Sequence, residues 1–146
     1  MQLLNGSHAF GAQATNSVRT VTTKDTFNMA LYLASGSLGA ATTEYSATNE
    51  LAATGNYTAK GALVTNATAP TTTGTTAFWT PSASVVWSNL TSSGSFDAAL
   101  LINNKSTGTN ELAISVHTFG AQSITAGTFT LTMPTNDSSN ALIRIA

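Results

Sequence analysis

The sequence predicts an all-β fold, a single-domain β-sandwich of about eight short strands in a jelly-roll or Ig-like manner. Three observations predict it. Apolar and polar residues alternate with period two in segment after segment, as half-buried strands require, because successive side chains point to opposite faces. Clusters of Gly, Pro, Asn and Ser separate these segments at short spacing. No long amphipathic helix pattern stands between them, and no internal repeat of roughly 20–50 residues suggests a solenoid or propeller.

Taken in order, a strand is expected around Val18 to Val21, where Val and Thr favour extended backbone. In FNMALYLA, Phe27, Met29, Leu31 and Leu33 fall on one face, and Asn28, Ala30, Tyr32 and Ala34 on the other. From Gly36 to Gly61 the alternation breaks. Glu44, Tyr45, Ala47, Glu50, Leu51 and Ala52 fit a helical turn or two, so this stretch reads as a long ordered loop carrying at most one short helix. Gly61 to Val64 is a short strand, and NATAPTTTGT a polar connection around Pro70 and Gly74. TTAFWT at 75–80 is stopped by Pro81, and SVVWSNL at 84–90 leads into a Ser/Gly turn at 92–95. FDAALLIN at 96–103 aligns Phe96, Ala98, Leu100 and Ile102. ELAISVHTF at 111–119 aligns Leu112, Ile114 and Val116. GTFTLTM at 127–133 sets Phe129, Leu131 and Met133 against Thr128, Thr130 and Thr132. ALIRIA then closes the chain, with Ile143 and Ile145 opposite Leu142 and Arg144. We divide the chain into an N-terminal arm or edge segment, 1–26, and a sandwich domain, 27–146.

Composition bounds what such a domain does. At 146 residues, one core is the default, burying roughly 70% of the unfolded surface. There is no Cys, hence no disulfide and no thiolate nucleophile or metal ligand. Only 8% of residues are charged, against about 25% in ordinary soluble domains. Thr, Ser and Asn make up 55 of the 146 residues instead, so the surface is rich in hydroxyls and amides. With a net charge of −1, colloidal repulsion is weak, which suits a protein that works in an assembly. Arg19, Lys24, Lys60, Lys105 and Arg144 are scattered singly, so nucleic acid is not an expected partner. Nor is a membrane, because no apolar run approaches about 18 residues. The opening MQLLNGSHAFGAQ has neither a basic nor a long apolar region, and no secretory leader is expected in this chain.

Candidate chemistry is sparse. A hydrolase would need His8 or His117 as base, Asp25, Asp97 or Asp137 to orient it, and a Ser nucleophile, but no G-x-S-x-G elbow is present. Two His far apart give no zinc spacing. Asn136-Asp137-Ser138-Ser139-Asn140 offers oxygen donors yet reads as an Asx-type turn rather than a calcium loop. GSHAFG at 6–11 lacks the Lys and Ser/Thr of a phosphate loop. We therefore expect no catalytic residues, no cofactor and no metal. Trp79 and Trp87, with Tyr32, Tyr45 and Tyr57, are candidate platforms for sugar rings, although packing in the core is the commoner fate of such residues.

The arrangement ALYLASGSLGAATTEYSATNELAATGNYTAKGALV, then VVWSNLTSSGSFDAALLIN, then HTFG and AGTFTLTMPTNDSSNALIRIA, resembles a group of short virion-associated structural proteins of tailed bacteriophages. The resemblance runs from about Phe27 to Ala146 and is carried most by TTEYSATNE at 42–50 and the GTF…MP…NALIRIA ending. It implies a non-enzymatic subunit assembled in the host cytoplasm: a capsid decoration or cement protein, or a component of a head fibre or tail. It further implies the major capsid protein or other virion subunits as partners, a place on the capsid surface, and a homo-oligomer, with a trimer favoured. The alternative is a fibre-associated adhesin module that binds carbohydrate. Apolar or charged residues stranded on otherwise unlike faces mark the expected subunit contacts: Phe10, Tyr32, Leu142 and Arg144.

Overall fold

The computed structural model describes residues 26–65, 69–104 and 111–146. The segment 1–25, with the strand expected at Val18–Val21 and the expected contact Phe10, lies outside them. Among the described residues there is no helix, and nine strands form three antiparallel sheets, a sandwich-like all-β domain. The strands are β1 (Thr26–Leu33), β2 (Ala62–Leu63), β3 (Thr71–Thr73), β4 (Thr76–Trp79), β5 (Val85–Leu90), β6 (Phe96–Asn104), β7 (Leu112–Gln122), β8 (Gly127–Leu131) and β9 (Ile143–Ile145). The larger sheet has the order β2-β1-β6-β7, and the smaller ones are β3-β4-β9 and β5-β8.

The main core lies between the four-stranded sheet and the two smaller sheets. Met29 and Leu31 of β1 and Ala99 and Leu101 of β6 meet Trp79 of β4, Val85 and Trp87 of β5 and Phe129 of β8. Rings supply much of the contact: Phe96 meets Phe129 edge-on at 5.0 Å, and Phe27 lies 5.9 Å from Trp79, separations at which aromatic pairs attract beyond their area burial.

A second apolar cluster lies on the opposite face of the same sheet, where Ala30, Tyr32, Ala98, Leu100 and Ile102 pack with Leu38 and Tyr45. β1 and β6 are thus buried on both faces rather than one. The cover is the segment 34–60, and it is not helical. After a turn in which Asn49 takes φ 62°, the segment's residues 50–51 run beside β1, with Leu33 N–H donating to Asn49 O and Leu51 N–H to Leu31 O. The segment is the long ordered loop that the sequence suggests, without the short helix that its spacing also allowed, because these backbone groups pair with β1 instead of with each other.

Bulges also redirect side chains that strict alternation would place elsewhere. Leu33 pairs with Phe96 and Tyr32 with Ala98, so Asp97 is unmatched. That extra residue moves Phe96 off the face of Ala98, Leu100 and Ile102 and into the main core. A register shift between β6 and β7 likewise splits the expected stripe. Ile114 packs on the main core, Val116 on the second cluster, and Leu112 is exposed. In β5, Asn89 at φ 52° absorbs a further shift that returns Leu90 to the core; Asn is among the residues that tolerate this conformation.

The polar stretch before β4 also differs from expectation. Thr71–Thr73 form a hairpin with β4 across the two-residue loop Gly74-Thr75, with Thr73 paired to Thr76. Gly74 sits at φ 59°, the left-handed conformation that the first residue of such a loop favours. The chain's last strand behaves as its alternation predicts: Ile143 pairs with Trp79 and faces the core, while Arg144 is exposed.

Candidate functional site

The densest polar cluster among the described residues is built where segment 34–60 meets the sheet. β1 is bordered along one edge by β2 at Asn28 and Met29 and by the bridge from Tyr32 to Glu50. Between them Leu31 N–H has no strand partner and donates to the Tyr57 phenol at 2.9 Å. The Tyr57 hydroxyl in turn donates to Glu50 Oε1 at 2.8 Å, and Lys60 N–H donates to the same oxygen at 2.6 Å. Tyr45 donates to the other oxygen, Oε2, at 2.5 Å. Glu50 is only 8% exposed, so these donors replace its water.

Lys60 extends the cluster to the far edge of the sheet, its Nζ lying 2.5 Å from Glu111 Oε1 and 5.8 Å from the Tyr45 ring centre. All three tyrosines of the chain are held protonated. Burial, then the neighbouring Glu50 charge, pushes Tyr32 up to about 12. Burial and the hydrogen bond to Glu50 push Tyr45 up, and burial with the Glu50 charge pushes Tyr57 higher still. Such phenols neither give nor take protons near neutrality. The cluster's chemistry is to fasten the segment to the sheet. Sequence reasoning missed this role, although Glu44, Tyr45, Glu50 and Tyr57 crowding a segment of broken alternation were a visible signal.

β7 carries a second polar pair. Ser115 Oγ and His117 Nε2 are 2.8 Å apart, and both residues share the face of their partners Leu101 and Ala99. His117 is thus turned toward the main core side rather than away from it. Burial holds its imidazole below the usual histidine range. Of the residue set a hydrolase would need, the structure joins only Ser115 and His117. Asp97 sits in the bulge, and the Asp137 carboxylate is hydrogen-bonded to the N–H groups of Ser139 and Asn140 and to the Asn140 amide. That is the Asx-type turn the sequence suggests. His8 and Asp25 lie outside the described residues.

The expected contact residues fare differently. Tyr32 is 1% exposed, and its hydroxyl donates to Ser46 O at 2.5 Å; the cover that its strand carries on that face takes it out of reach of a partner. Leu142 is not stranded beside Arg144 but packs on the main core, its N–H donating to Thr80 Oγ1 at 2.9 Å. Arg144 is exposed and reaches Ser138 O at 3.3 Å. Trp79 and Trp87 are 6% and 4% exposed, so neither ring offers a stacking face. Large apolar side chains do reach solvent at Leu63, Val86 and Leu112.

A shallow cleft of about 360 Å³ runs between Leu38–Thr42 and the stretch Ile114–Thr118 of β7. β7 ends the four-stranded sheet, so the cleft lies along a sheet edge. Against known proteins, no family model, no curated sequence and no solved structure matches the chain.

Proposed function

We propose that this chain is a non-enzymatic structural protein of a tailed-bacteriophage virion, a capsid decoration or cement protein that stabilises the shell through subunit contacts. The phage setting comes from the sequence resemblance. The observation that supports a packing role is how little of the charged and aromatic chemistry is left for a ligand. Glu50, Lys60 and Glu111 are tied to one another's neighbours, and both Trp side chains are in the core. Among the described residues, what remains outward is mostly hydroxyl, amide and scattered apolar surface, with few charges such as Glu44 and Arg144, and it associates through burial and hydrogen bonds more than through long-range attraction. The carbohydrate-binding alternative is disfavoured by the burial of Trp79, Trp87, Tyr32 and Tyr57, which leaves only the half-buried Tyr45 of its candidate platforms.

The test is to mix purified protein with phage particles that lack decoration and to sediment them. Saturable co-sedimentation with heads, and increased resistance of the shell to heat or chelator, is the expected result. Capture by tails in place of heads would move the role to the tail, and binding to neither would overturn the reading.

A further inference from the structure

We draw no further inference here: the strongest candidate, the cleft of about 360 Å³ where Leu38–Thr42 stands beside Ile114–Thr118 at the edge of β7, carries nothing because nothing in the structure shows what covers it.

Discussion

Removing the Glu50 carboxylate is the perturbation for which the structure supplies the most complete arithmetic. In Glu50→Ala, Tyr57 loses its acceptor at 2.8 Å and Lys60 N–H loses its acceptor at 2.6 Å. Each buried donor left without a partner costs about 1–3 kcal/mol. Tyr45 is only half-buried, and water can replace its lost partner, so it adds little. The loss should be about 3–5 kcal/mol, the range seen when one member of a buried polar set is removed. A domain of this kind has about 5–15 kcal/mol in all. Glu50→Gln keeps one carbonyl oxygen for Tyr57 and Lys60 and should cost about 1–2 kcal/mol. Urea unfolding, followed by the emission of the buried Trp79 and Trp87, measures both. A cycle with Tyr57→Phe should return a coupling of about 1–3 kcal/mol. A Glu50→Ala loss below about 1 kcal/mol, or a coupling near zero, would refute the fastening role.

Three further outcomes are expected. Gly61→Ala should lower stability by more than about 3 kcal/mol in thermal denaturation, because a Cβ there would lie 1.8 Å from Met29 O on a backbone at φ 69°. In alkali, the native chain should show no phenolate absorbance near pH 10, where free tyrosine ionises. Folding raises the tyrosine values, so stability is intact below about pH 10 and is lost above it. Each buried tyrosine removes up to about 1.4 kcal/mol per pH unit until its folded value is passed, about 12 for Tyr32. For His117 the sign is reversed. Its folded value is lowered by burial, so its contribution is present above the ordinary histidine range near pH 6.5 and falls as pH drops through it. An imidazole resonance that titrates at or above about 6.5 would contradict that environment.

The parts of the fold that were legible in sequence are those decided by near neighbours. Val85 and Trp87 alternate with exposed Val86 and Ser88, and Ile143 and Ile145 alternate with exposed Arg144, because a pleated backbone sends consecutive side chains to opposite faces whatever lies beyond. Segment 44–52 is the ordered loop that its broken alternation suggests, but its spacing also allowed a helical turn, and only the bonds to β1 decide against one. Tyr32 was misread for a related reason. Its face of β1 is outward only if nothing covers it, and the cover comes from Leu38 and Tyr45 of the loop that folds back over the strand.

The sequence by itself determined the β class, the places of most strands, the absence of cysteine chemistry and a surface poor in charge. Each of these follows from residue type or from a period of two. The tertiary structure alone decided the rest. It set which faces receive a second layer, where an unmatched Asp97 turns Phe96 into the core, how Glu50 collects donors from Tyr45, Tyr57 and Lys60, and that β7 ends its sheet. These are long-range pairings, and local sequence carries little of the information because the partner that satisfies each group arrives from a distant part of the chain.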